Sequence, residues 1–202
     1  MRLKCRWQIS LLPAFSRLRK NWVRFYGNFH QTLVGTKNAS GNFFNYCQRQ
    51  RKKPLLGRRH DSKLKTRARV KTKCDRALRY CVEIRHASFL VPDFFELLRE
   101  FNIAFVFADT AGKWPYAEDL TANFVYCRLH GDTQLYTSGY SDRALVCWAT
   151  RLKLWRKGQQ PKNAKLVTAK RKSQSHDLFV YFDNDAKVHA PFDAQTLVRK
   201  MK

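Results

Sequence analysis

The sequence predicts an α/β fold: the last four, or five, β/α units of a partial TIM-type barrel behind an irregular basic N-terminal segment. Three observations predict it. Four short apolar runs are nearly continuous rather than alternating, helical patterns lie between them, and each run ends in charged or amide side chains. Continuous apolar runs suit parallel strands covered on both faces, and strand–helix alternation at this spacing is how right-handed βαβ units are written.

The four runs are RYCVEIR (Arg79–Arg85), IAFVFAD (Ile103–Asp109), NFVYCRL (Asn123–Leu129) and LFVYFDN (Leu178–Asn184). Behind the first, Phe94, Leu97, Leu98 and Phe101 recur at helical spacing, and Pro92 marks a helix start because a first-turn proline forfeits no hydrogen bond. Behind the third, Ser141 is an N-cap for a helix bearing Leu145, Trp148, Leu152 and Trp155, with Gly158 as the stop. Asp193 is the expected cap of a last helix carrying Leu197, Val198 and Met201. Between Asp109 and Asn123 there is room only for a short helical turn near Ala117–Thr121. The basic stretch 158–177 reads as a mobile surface insertion. No Gly-rich phosphate loop follows any strand, which weighs against an open doubly wound sheet.

The net charge of +25 is unevenly placed. Residues 1–60 hold 14 Lys and Arg and no Asp or Glu, whereas residues 74–202 hold 20 basic and 14 acidic side chains, an ordinary mixed surface. The chain accordingly divides at 1–54, a basic segment without sustained periodicity, and 55–202, the β/α part. Aromatics between the arginines of the front superficially suggest non-specific nucleic-acid binding, but no DNA- or RNA-binding motif accompanies them. The absence of acids and of periodicity reads instead as disorder or as residues that are not native coding sequence. A hydrophobic fraction of 44% is enough for a core. The six cysteines show no C-x-x-C or zinc-finger spacing, which favours a reducing compartment. With no apolar run long enough to cross a bilayer, a soluble, cytoplasmic protein with no membrane partner is expected.

In a β/α barrel the ligand lies at the C-terminal strand ends. Here those ends supply Glu83, Asp109 and Asp183 as candidate acids, bases or metal ligands. Arg85, His86, Arg128, His130, Asp132, Asn184 and Asp185 are the candidate ligand-binding residues. Alternation puts Glu83 with Arg85, and Arg128 with His130, on one side of their strands. Two readings follow: a pocket for an anionic or phosphorylated small molecule, or a structural salt-bridge network that fixes register. His86, Asp109, His130 and Asp183 could be drawn together around a metal, but no H-E-x-x-H-like spacing supports it, and no metal or cofactor is assigned. No nucleophile elbow is present either, so the residues name no reaction. Trp114, Tyr116, Tyr136 and Tyr140 are read as covering the barrel mouth.

Four stretches together are specific: LGRRHDSKLKTRARVKTKCDRALRYCVEIRHASF (56–89), FADTAGKWPYAEDLTANFVYCRLHGD (107–132), LYTSGYSDRALVCWA (135–149) and DLFVYFDNDAKVHAPFDA (177–194). They resemble domain-of-unknown-function family 72, the YecE-like proteins. The resemblance implies a TIM-type barrel with no established activity. It also implies that the opening strands, with a Gly-Thr-Ser-Gly-Trp motif, are missing, and that Trp7-Gln8, Leu12-Pro13 and Phe15 are a damaged remnant of a fourth-strand motif. A truncated half-barrel has unpaired sheet edges, so self-association through them is expected, and a non-functional remnant is the third reading.

Overall fold

Why four separated apolar runs become neighbours is seen in their two faces. The computed structural model describes residues 79–170 and 174–202 in full, and the backbone alone of residues 8–10 and 22–26. Strands β3 (Arg79–Glu83), β4 (Ala104–Asp109), β5 (Phe124–Leu129) and β6 (Asp177–Phe182) pair in parallel and in sequence order. β2 (Trp22–Tyr26) continues the parallel sheet beside β3, and β1 (Gln8–Ser10) closes that edge antiparallel to β2. Two strands thus form in the stretch expected to be irregular. The expected remnant at Trp7-Gln8, Leu12-Pro13 and Phe15 falls, apart from Gln8, outside the described residues.

Helices α1 (Pro92–Glu100), α2 (Asp142–Arg156) and α3 (Ala190–Met201) cover one face of the sheet. On that face Val82, Phe105, Phe107, Val125, Cys127 and Leu129 meet Phe95, Leu98, Leu152 and Trp155 in one core. Strand alternation sends the intervening residues to the opposite face, the helix-free face, which carries no helix among the described residues. Cys81, Ala104, Val106, Ala108, Phe124 and Tyr126 pack there with Phe179 and Tyr181. Both faces of β4 and β5 are buried, the reason their sequences lack polar alternation.

Helix ends follow the expected chemistry in two cases of three. Pro92 opens α1, and Ser141 Oγ accepts from Ala144 N at 3.2 Å to cap α2. Gly158, at φ +70°, takes the left-handed turn after α2. The third case differs. His189 precedes α3, Pro191 sits in its first turn, and Asp193 lies inside the helix. Its Oδ2 accepts instead from Asn184 Nδ2 (2.8 Å) and Tyr140 N (3.1 Å), tying α3 to two loops.

No helix forms at 117–121, because those residues are engaged elsewhere. Thr121 Oγ1 accepts from Phe105 N and donates to Ile103 O, standing in for a ladder partner where β4 begins. Asp119 is buried and accepts from Val167 N at 2.8 Å and Thr168 N at 2.9 Å. Glu118 N donates to Lys165 O, while Gln160 links Glu118 O to the Trp155 indole. The basic stretch expected to be a mobile insertion is therefore fastened to the domain over residues 160–168. Among the described residues no helix is long and apolar enough to cross a membrane.

Candidate functional site

Three strands deliver charge to the helix-free face at their C-terminal ends. Glu83 ends β3 and is 1% exposed. Its Oε1 meets Arg85 Nη2 and its Oε2 meets Arg128 Nη1, each at 2.7 Å. Arg128, on β5, uses its other terminal nitrogen for Asp183, just past β6. His130 Nδ1 lies 3.7 Å from the same Asp183 oxygen, and its ring is fully buried. Five of the expected site residues thus form one connected group: Glu83, Arg85, Arg128, His130 and Asp183.

The group bridges strands that are not neighbours. Glu83 and Arg128 meet although β4 runs between their strands. At the opposite strand ends Arg79 Nη1 reaches Asp177 Oδ2 at 2.7 Å, joining β3 to β6 past two intervening strands. In a flat sheet those two strands would stand about 14 Å apart, at roughly 4.8 Å per step. The sheet therefore curls toward its helix-free face, which is what lets side chains of three strands converge.

Aromatic rings form the outer wall of the group. The Arg85 guanidinium carbon lies 3.4 Å from the centre of the Trp114 ring, a stacked cation–π contact. Trp114 and Tyr136 both meet the His130 ring edge-to-face, with centroids at 5.9 Å and 5.2 Å. About one-fifth of the Arg85 side chain stays exposed, against 7% for Arg128. Arg85 is thus the outer cation and Arg128 the inner one.

The remaining expected residues are not part of this group. Asp109 shares the alternation of Phe105 and Phe107, so its carboxylate turns to the helix side. There its Oδ2 accepts from Tyr140 Oη at 3.1 Å and Trp148 Nε1 at 3.3 Å. Burial raises the Asp109 pKa, with the bonds from Tyr140, Trp148 and the Ala111 backbone opposing the rise and the Asp132 charge adding to it. Asp132 accepts from Ser141 Oγ at 3.1 Å near the start of α2. Asn184 is buried and donates to Ser138 O and Asp193. Asp185 is exposed in a short 3-10 turn, Asp185–Lys187. His86 is exposed and bonds Ser88. Of the four residues weighed as metal ligands, only His130 and Asp183 come together.

Sequence reasoning did not single out the second polar cluster, on the helix side. Glu118 is buried and meets Arg151 Nη1 at 2.5 Å. Its pKa is raised by burial, against the attraction of Arg151 and a hydrogen bond from Tyr116. One available signal was Trp148 in an apolar helical stripe: a buried indole N–H requires an acceptor, and Asp109 is it.

Comparison with known proteins agrees with this architecture. The family model described as "Protein of unknown function DUF72" matches residues 54–202. A crystal structure of a DUF72 family protein from Enterococcus faecalis, at 3.10 Å, superposes with TM-score 0.55 and 14% identity. It covers 92% of this chain and 59% of its own. A second crystal structure of that protein, at 2.52 Å, gives TM-score 0.53 and 14% identity over 91% and 61%. A DUF72 family protein from Thermotoga maritima is 23% identical over 60% of this chain and 45% of its own, with TM-score 0.47. The chain spans about 59% of the length of the Enterococcus protein, and at such identities the likeness speaks for the fold alone. No curated protein matches the chain. With a family model covering residues 54–202 and an α/β fold of parallel strands and helices, the chain belongs to the DUF72 family, whose function is unknown.

Proposed function

We propose that the chain forms the closing part of a β/α barrel whose mouth binds an anionic, phosphorylated small molecule, with Arg85 as the cation that meets it. The inward curl of a parallel sheet with helices on its outer face supports the barrel. One observation carries the ligand reading: the Arg85 guanidinium is fixed at the rim by Glu83 below and Trp114 beside it, yet retains exposed surface. A planar guanidinium held this way loses little entropy on gripping a phosphate, and its fork geometry suits bidentate contact. Glu83, Arg128 and Asp183 serve as the frame beneath it, and Trp114 and Tyr136 as the wall.

The structural-network reading is favoured by one specific fact: both terminal nitrogens of Arg128 are taken by carboxylates. The two readings divide over Arg85. Thermal unfolding is followed with inorganic phosphate and with ribose 5-phosphate, against chloride at matched ionic strength. The proposal expects a saturable rise in Tm with ribose 5-phosphate that disappears in Arg85→Met. A rise of equal size in Arg85→Met, or none in the native chain, leaves only the structural network.

A further inference from the structure

On the helix side of the sheet, sharing only Trp114 with the wall of the Glu83–Arg128 group, a cleft of about 310 Å³ opens between the loop after β4 and helix α2. It lies at the small end of the range of cavities that hold small molecules. Asp109, Trp114, Tyr116, Cys147, Trp148 and Lys165 are among its lining. We infer that this cleft is a second binding site, for a small molecule that presents an ammonium group to the Asp109 carboxylate.

The inference rests on charge and on partners. Asp109 is held by three neutral donors, the Tyr140 hydroxyl, the Trp148 indole and the Ala111 backbone, and among the described residues no Lys, Arg or His pairs with it. Tyr140 Oη itself accepts from Gly131 N at 3.1 Å, so its proton is directed to Asp109. These donors fix the carboxylate in orientation without neutralising it. A half-buried carboxylate so placed gains from an incoming cation what it lacks from the protein. The other acid of the cleft is different. Glu118 already has Arg151, and Lys165 also acts on it. Lys165 otherwise lies beside the Tyr116 ring, 5.8 Å from its centre. Aromatic walls add favourable surroundings for an alkylammonium. The cleft therefore has one uncompensated acceptor of positive charge, at Asp109, and a lysine at Lys165 that could meet a carboxylate on the same ligand.

Three probes with one hydrocarbon body separate the possibilities: phenethylamine carries the ammonium alone, phenylalanine adds a carboxylate, and 3-phenylpropionate carries the carboxylate alone. Binding is read by tryptophan fluorescence and by protection of Cys147, an exposed cysteine of the cleft lining, from alkylation, located by peptide mass spectrometry. The two amines should bind saturably and protect Cys147, and phenylpropionate should bind about tenfold more weakly or not at all. Asp109→Asn should weaken both amines by a similar factor and leave phenylpropionate unchanged. Phenylalanine binding tighter than phenethylamine identifies a zwitterion as the ligand class, and the reverse a simple amine. Should Asp109→Asn fail to fold, Ala144→Leu fills the cleft from α2 with Asp109 intact and should abolish amine binding. Equal binding of all three probes, no saturable amine binding, or unchanged amine affinity in the variants overturns the inference. Because Trp114 both stacks on Arg85 and lines the cleft, Arg85→Met serves only the strand-end test, and Asp109→Asn with Ala144→Leu decides this site independently of that reading.

Discussion

Replacing Asp119 by alanine removes the carboxylate that fastens residues 160–168 to the domain. The side chain is buried and accepts from the Val167 and Thr168 amides at 2.8 and 2.9 Å, from Thr168 Oγ1 at 2.5 Å, and from Arg99 Nη2 at 3.4 Å. Hydrogen bonds to a charged acceptor contribute about 1.5–3 kcal/mol each, and an N–H stranded in a buried position costs about 1–3 kcal/mol. Bonds converging on one carboxylate are not additive, and Val167 and Thr168 are only half-buried, so the expected loss is about 3 kcal/mol rather than the sum. Asp119→Asn keeps one acceptor oxygen and should lose about half as much. Urea unfolding gives both numbers. Hydrogen exchange at the Val167 and Thr168 amides gives the local consequence: protection present in the native chain should vanish in Asp119→Ala. A variant within about 0.5 kcal/mol of the native chain, with unchanged exchange at those amides, would refute the anchoring of this loop.

Two further outcomes follow from the same geometry. Because burial raises the Asp109 pKa above its ordinary 3.8, the folded state holds that proton more tightly than the unfolded chain. Its stabilising share is therefore complete below about pH 4 and is lost as pH rises through the raised value, so native stability should fall relative to Asp109→Asn across that window. Urea melts of the pair from pH 4 upward check the sign, and native stability that rises with pH relative to Asp109→Asn contradicts it. Gly131 holds φ at +127°, and an added Cβ would overlap Gln134 O and crowd Ser138 Oγ. Gly131→Ala should cost about 2 kcal/mol or more in thermal unfolding, and a neutral result would mean that the turn after β5 rearranges freely.

Much of the fold was legible because apolar continuity and cap chemistry are local. The four runs become strands with ends shifted by one or two residues: β3 stops at Glu83 rather than Arg85, and β6 starts at Asp177, which pairs in register with Phe124. What was not legible depends on partners far along the chain. The Ala117–Thr121 stretch cannot coil into a helix while Asp119 and Thr121 serve the loop and β4, and neither duty is written nearby. Trp22–Tyr26, at five residues, is too short to show a period against its basic surroundings, yet it pairs in register with β3. Asp109 illustrates a different failure. Alternation was used for Glu83 with Arg85 and for Arg128 with His130, and the same rule applied to Phe105, Phe107 and Asp109 points the acid at the helices. The charges of β3, β5 and the end of β6 converge because the sheet curls, and curvature is a property of the assembled sheet.

The convergence itself is most directly tested by a double-mutant cycle on Glu83 and Arg128, read by urea unfolding. Removing either partner leaves the other buried with one counter-charge of two, Glu83 keeping Arg85 and Arg128 keeping Asp183, so Glu83→Gln and Arg128→Met should each cost about 3 kcal/mol, the low end for a broken buried pair. The double variant should cost about 2 kcal/mol or more less than their sum. Costs that simply add, to within about 0.5 kcal/mol, would mean that these side chains do not meet across β4, and the strand-end site would be lost with them.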